Sequence, residues 1–182
     1  MLTMKRVDDR LPISFTGLRR GLTLMVFLIL ISLSWSVNMP MARSQTKPVN
    51  YTLTVVQNRD FSHENLKGAS FAGADARGSN FQEANLVGSI LTKASFLETD
   101  LTDTNLTDSL ADRVTFDGSN LTNALFVDAI VSGSTFLQTT VTGADFSGAL
   151  IDRYQISLMC RNASGINPVT GVATRDSLGC RD

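Results

Sequence analysis

Few residues in this chain are of kinds that do chemistry, and their spacing narrows the choice further. The one histidine, His63, stands beside Glu64, and no serine, cysteine or acid is spaced to complete a triad with it. A surface histidine is the expectation. Acidic residues gather between Glu98 and Asp117: Glu98, Asp100, Asp103, Asp108, Asp112 and Asp117, with Arg113 among them. Such a run is either a patch for a cation or partner or a solvated wall, and the wall is expected. The two cysteines, Cys160 and Cys180, fall short of a metal site even with the distant His63, because a structural zinc needs four ligands. In an oxidising compartment they would pair, and closing a loop of this length stabilises by roughly 3 kcal/mol in the chain-entropy model. Free thiols or a redox switch are the alternatives. The thirteen glycines form no phosphate-binding loop; many recur at a period of five. The expectation is therefore a non-enzymatic protein, with no catalytic residue, no cofactor and no metal.

What would position these groups is a five-residue period. From Phe61 in steps of five the chain reads Phe61, Leu66, Phe71, Ala76, Phe81, Leu86, Leu91, Phe96, Leu101, Leu106, Ala111, Phe116, Leu121, Phe126, Val131, Phe136, Val141, Phe146 and Ile151, without an insertion. All but Ala76 and Ala111 are large and apolar, and these large residues form the expected core ladder. Two residues earlier runs a column of Ala, Ser and Thr, from Ala69 to Ala149, that only Val114 exceeds in size. Asp or Asn often precedes the large residue, as at Asp75, Asn80, Asn85, Asp100, Asn105, Asn120 and Asp145. Glycine often follows it by two, where a corner needs unusual backbone angles. A period of five fits neither an amphipathic helix nor an alternating strand. It fits a square solenoid with one pentapeptide per side and about 20 residues per coil, its coils ~4.8 Å apart in a rod of ~23 Å.

The stretch from about Asp60 to Asp152 resembles the pentapeptide-repeat family, with its A(D/N)LXX pattern. Ala84-Asn85-Leu86-Val87-Gly88 and Ala144-Asp145-Phe146-Ser147-Gly148 are clean copies. The resemblance implies a right-handed quadrilateral β-helix, an all-β solenoid. The tail is similar to that of thylakoid-lumen pentapeptide-repeat proteins of cyanobacteria and chloroplasts. The match runs through Met159-Cys160, Ala163-Ser164-Gly165, Asn167-Pro168-Val169-Thr170-Gly171 and Thr174-Arg175-Asp176-Ser177-Leu178-Gly179-Cys180. It implies a lumenal or periplasmic home and a short α-helical, disulfide-linked C-terminal cap. Some members of the family are DNA-mimicking topoisomerase inhibitors; an exported, short and only mildly acidic rod argues against that reading.

Residues 1–44 read as a signal peptide. Lys5, Arg6, Arg10, Arg19 and Arg20 precede an apolar run from Leu22 to Trp35, and Ala42 and Ser44 offer small residues for cleavage. An uncleaved membrane anchor is the alternative, though the apolar run is shorter than the ~20 residues of a span. Gly21-Leu22-Thr23 follows Arg19-Arg20 poorly for the twin-arginine route, so the Sec route is expected. Beyond the leader stand ten Lys/Arg against fifteen Asp/Glu, a net charge of −5, with no sign of a nucleic-acid partner. Residues 45–58 read as an N-terminal strand or cap, 59–153 as the β-helix and 154–182 as the helical cap. Asp152 is the expected N-cap of a helix from Arg153 to Ala163, with a further helical turn at Thr174–Leu178. An interaction scaffold with an unknown protein partner is the expected role. A redox-responsive protein using Cys160 and Cys180 is the runner-up.

Residues twenty apart should stack, giving four inward columns: Phe61/Phe81/Leu101/Leu121/Val141, Leu66/Leu86/Leu106/Phe126/Phe146, Phe71/Leu91/Ala111/Val131/Ile151 and Ala76/Phe96/Phe116/Phe136/Ile156. One coil breaks two rules at once, since Ala111 is small for its column and Val114 large for its own. Val114 is expected to fill space that Ala111 leaves. Val114→Ala should then lower stability by about 1–3 kcal/mol. A thermal melt indistinguishable from wild type would refute the compensation.

Overall fold

The computed structural model describes residues 48–181, so the leader and its cleavage site lie outside the described residues. From Asn50 to Leu150 every fifth residue forms a parallel bridge to the residue twenty further on, beginning with Asn50 to Ser70 and ending with Ile130 to Leu150. A constant offset of twenty means four pentapeptides per coil, and the architecture is a right-handed quadrilateral β-helix. The stretch containing Tyr51 and Val56 begins the wall.

One pentapeptide shows why the pattern folds this way. The Asn80 N–H donates back to the Arg59 carbonyl at 2.9 Å, while Phe81 and Glu83 donate forward to Asp100 and Thr102 at 2.7 and 2.9 Å. The Ala84 N–H closes a turn onto the Phe81 carbonyl at 3.0 Å. That leaves the N–H of Gln82, which donates to the Asn80 side-chain oxygen at 3.0 Å. The same side-chain acceptor serves at Asp60, Asn85, Asp100, Asn105, Asn120 and Asp145. The Asp or Asn before each large residue thus satisfies the one N–H that the stacked backbone leaves over.

The turn requires a left-handed residue two places after the large one. Eight glycines of the period hold φ between 63° and 71°, and twelve other residues, including Lys93, Glu98, Asp108 and Arg113, accept the same conformation. Positive φ at the third residue of a hydrogen-bonded turn is the type II geometry, which bends the chain at each corner.

The large residues and the small column point inward and are buried, from Val56 and Phe61 to Phe146. Ile151 is half-buried. Phenylalanines one coil apart stack nearly parallel: Phe61 on Phe81 at 4.7 Å, Phe116 on Phe136 at 5.2 Å and Phe126 on Phe146 at 5.0 Å between ring centroids. At the N-terminal end Arg59 and Glu64 occupy the small column but are exposed. The Arg59 guanidinium lies over the Phe61 ring at 5.2 Å, a cation–π contact in the first described coil.

The irregular coil is repaired by a hydroxyl. Both Ala111 and Val114 are buried. The Ser134 hydroxyl accepts from the Val114 N–H at 2.8 Å and donates to the Ala111 carbonyl at 2.6 Å, bridging both sides of that turn. Ser119 bridges Thr99 and Phe96 in the same way. The buried hydroxyls of Ser89 and Ser109 have no partner.

These two classes of buried serine should respond oppositely to removal. Ser134→Ala leaves a buried N–H and carbonyl unpaired and should cost about 1–3 kcal/mol. Ser109→Ala removes a hydroxyl that bonds nothing and should be neutral or slightly stabilising. Denaturant titration of both variants checks the contrast.

Candidate interaction surface

The rod offers two kinds of surface, its walls and its ends. At the C-terminal end helix α1, Arg153–Met159, follows directly on the last pentapeptide, and the short helix α2, Thr174–Ser177, follows an antiparallel bridge between Ile166 and Ala173. The last coil presents N–H and carbonyl groups that a further coil would have met, and cap groups take its place. Gln155 Oε1 accepts from the Phe136 N–H at 3.1 Å, Asp152 Oδ2 from Gly133 at 2.7 Å and Ser177 Oγ from Phe146 at 3.0 Å. Asn162 Nδ2 donates to the Thr139 carbonyl at 3.1 Å.

Asn167 does the most of any single residue. It is buried, its amide donates to the carbonyls of Asn123 and Gly143 at 3.0 and 2.8 Å, and its oxygen accepts from the N–H groups of Val169 and Thr170. In the sequence Asn167 stands only as part of the tail motif Asn167-Pro168-Val169-Thr170-Gly171, and nothing there but an Asn before Pro signals this role.

Two expectations for this region are corrected. Asp152 stands at the N-cap of α1 but makes no cap bond, because its carboxylate is turned to Gly133 of the preceding coil. Ile156 lies in α1 rather than on a further coil, yet it packs against the core as its column requires, while the side chain of Gln155 meets the coil before it. Helix α1 ends at Met159 and is shorter than expected, and α2 falls where the last turn was expected. Cys160 and Cys180 form a disulfide with Cα atoms 5.7 Å apart, tying the end of α1 to the end of the chain. Both are half-buried at a cleft lined also by Arg153, Ile156, Leu178 and Arg181.

The acidic run does not form a patch. Glu98, Asp103 and Asp108 sit two residues after successive large residues, with Arg113 next, so they occupy the four corners of one coil. Asp100 accepts from Thr102, and Asp117 from the Leu137 N–H at 2.8 Å. Asp112 accepts from the Thr92 hydroxyl and pairs with Arg113 at 2.8 Å. His63 faces Glu83 of the next coil, Nδ1 to Oε2 3.1 Å, and both are exposed. Among the described residues no group of three or more His, Cys, Asp or Glu is placed to hold a metal ion, and no helix is long and apolar enough to cross a membrane.

Comparison with known proteins adds the following. The family model for pentapeptide repeats matches residues 60–92, 69–108 and 112–149, in eight copies. No curated protein matches. A solved pentapeptide repeat protein of the Arabidopsis thaliana thylakoid lumen is 31% identical, over 70% of this chain and 92% of its own, with a TM-score of 0.47. HetL, a pentapeptide repeat protein involved in heterocyst differentiation regulation in the cyanobacterium Nostoc, is 20% identical over 56% of each chain, with a TM-score of 0.50. QnrB1, a plasmid-mediated fluoroquinolone resistance protein, is 21% identical over 62% of this chain and 69% of its own, with a TM-score of 0.47.

Three carboxylates on the walls titrate below their ordinary range. Hydrogen bonds from the Arg77 guanidinium hold Asp75 far down, helped by Gln57. The Thr92 hydroxyl and Arg113 lower Asp112, and the Ser62 N–H lowers Asp60. A folded-state value below the unfolded one adds stability that is complete above the unfolded value and lost as pH falls through the folded one. The melting temperature should hold between about pH 7 and 5 and fall below about pH 4. In Asp75→Asn, which keeps an acceptor for the Arg77 N–H, the acid limb should be shallower. A parallel pH–melting series measures it.

Proposed function

The chain belongs to the pentapeptide-repeat family, and on that premise we propose that it is an exported, non-enzymatic scaffold that binds another protein in the thylakoid lumen or periplasm. The leader, residues 1–44, is read as a signal removed on export. The observation that carries the reading is the disulfide-closed cap. The only two cysteines bond one another across the end of the rod, and such a bond persists in an oxidising compartment. A relative 31% identical along nearly its whole length comes from the thylakoid lumen, which supports the same compartment. Flat walls of side chains already satisfied within the rod suit docking better than catalysis. The positions of the carboxylates are explained by corner geometry and turn bonding, which leaves no convergent acid–base pair among them.

The redox-responsive reading is favoured by one observation: both sulfurs lie at a surface cleft rather than deep in the core. One experiment addresses both. The protein is expressed with its leader in a cyanobacterium, recovered from lumen, periplasm, membrane and cytosol fractions, and used for affinity capture in oxidised and reduced forms. The scaffold reading expects a lumenal or periplasmic pool lacking about 44 residues and a reproducible partner captured by the oxidised form. A cytosolic pool with the leader intact overturns it. Capture that reverses on reduction while the repeat region stays folded assigns the response to the Cys160–Cys180 pair.

A further inference from the structure

Three walls of the rod carry mostly polar residues at the outward position before the large one: Asp75, Ser95, Thr115 and Thr135 after Val55 on one, Asp60, Asn80, Asp100, Asn120 and Thr140 on another, and Asn65, Asn85, Asn105 and Asp145 on the third, interrupted by Leu125. The fourth wall differs. After Asn50 and Ser70 its outward residues are Ile90, Leu110, Ile130 and Leu150, bridged each to the next in four consecutive coils. They are 42%, 37%, 39% and 59% exposed. The stripe breaks two rules of its own fold. It puts aliphatic side chains in water, and it removes the side-chain oxygen that Asp or Asn at this position offers to the leftover N–H, as Asn80 and Asn105 do. A local rule broken four times in register is the mark of a surface shaped for something outside the chain.

We propose that this wall is a homodimer interface, in which two copies pack stripe to stripe with their rods parallel. The stripe repeats every ~4.8 Å, so two copies match along their whole length. The flanking charges choose the arrangement. The corner on one side carries Lys93 and Arg113, with Asp112 beside Arg113; the corner on the other carries Asp108 and Asp128. A two-fold axis along the rod lays one copy's basic edge on the other's acidic edge, with Arg113 opposite Asp108 at the same height. A two-fold axis across the rod pairs Ile90 with Leu150 and Leu110 with Ile130. It then sets Asp108 against Asp128, like facing like. Arg113 also holds Asp112 of its own chain, which fixes the guanidinium at the corner. The stripe alone falls well short of the ~800 Å² per partner of a standard interface, so the association is weak, with a dissociation constant on the order of tens of micromolar.

The interface does not depend on the compartment or on the scaffold reading. Sedimentation equilibrium of the purified protein from about 1 to 300 µM reads it, spanning the expected constant. The wild type should shift from monomer to dimer. Leu110→Asn with Ile130→Asn should weaken dimerisation at least about tenfold, a loss of ~1.4 kcal/mol. These substitutions restore the repeat pattern and its turn acceptor, so the melting temperature of the diluted monomer should match or exceed wild type. Arg113→Asp and Asp108→Arg should each weaken the dimer, and the two combined in one chain should recover it. A wild type monomeric throughout overturns the proposal, as does a dimer indifferent to the asparagine pair. Failure of the charge reversal to recover association overturns the parallel arrangement. Adsorption of a monomeric wild type to lipid vesicles, lost in the asparagine pair, would reassign the stripe to a membrane surface.

Discussion

Everything in this molecule depends on one backbone turn repeated without interruption. Each pentapeptide must reach a left-handed residue two places after its large apolar side chain, or the coil does not close at twenty residues. With the coil closed, N–H and carbonyl groups one coil apart face each other and pair. Glycine meets the requirement without strain, and eight of the corners use it. The other twelve place side chains such as Lys93 and Arg113 in a conformation that costs roughly 1–2 kcal/mol for L-residues. That these corners nonetheless hold the geometry shows that the ladder on either side dominates the local preference.

The same constraint explains the polar code of the repeat. Stacking consumes three N–H groups per pentapeptide and the turn a fourth. The fifth must find a side chain or water, and Asp or Asn immediately before the large residue is the shortest route. Where the code lapses, the cause can be read. In the buried small column a serine of the next coil bridges a turn that has opened, as Ser134 does for Ala111 and Val114. On the outer wall from Ile90 to Leu150 four consecutive coils carry an aliphatic residue where an acceptor could stand, which sets that wall apart from the others.

The ends follow different physics from the walls. Between coils, backbone answers backbone; at the last coil it is answered mostly by the side chains of Gln155, Asp152, Ser177, Asn162 and Asn167, with the Ser164 carbonyl accepting from the Gly143 N–H at 2.8 Å. This makes the cap specific to its own rod, and the disulfide fixes two of its segments together. At the first coil Tyr51 stacks on Phe71 at 4.8 Å and Arg59 covers the neighbouring ring.

The sequence by itself determined the solenoid, its coil length, its inward columns and the family, because a period of five survives any local variation. It also singled out the two cysteines, one of which follows α1 while the other nearly ends the chain. It could not determine what sequence neighbours become when the chain is wound. The acidic run from Glu98 to Asp117, expected as a solvated wall, is spread over several sides of the coil with Glu98, Asp103 and Asp108 at separate corners, whereas Ile90, Leu110, Ile130 and Leu150, twenty residues apart, became one stripe. His63 stands beside Glu64 in the sequence, yet faces Glu83 in the fold. Asp152 looked like a helix cap until Gly133 competed for its carboxylate. In each case the deciding contact lies one coil away, so only the tertiary structure makes it a neighbour.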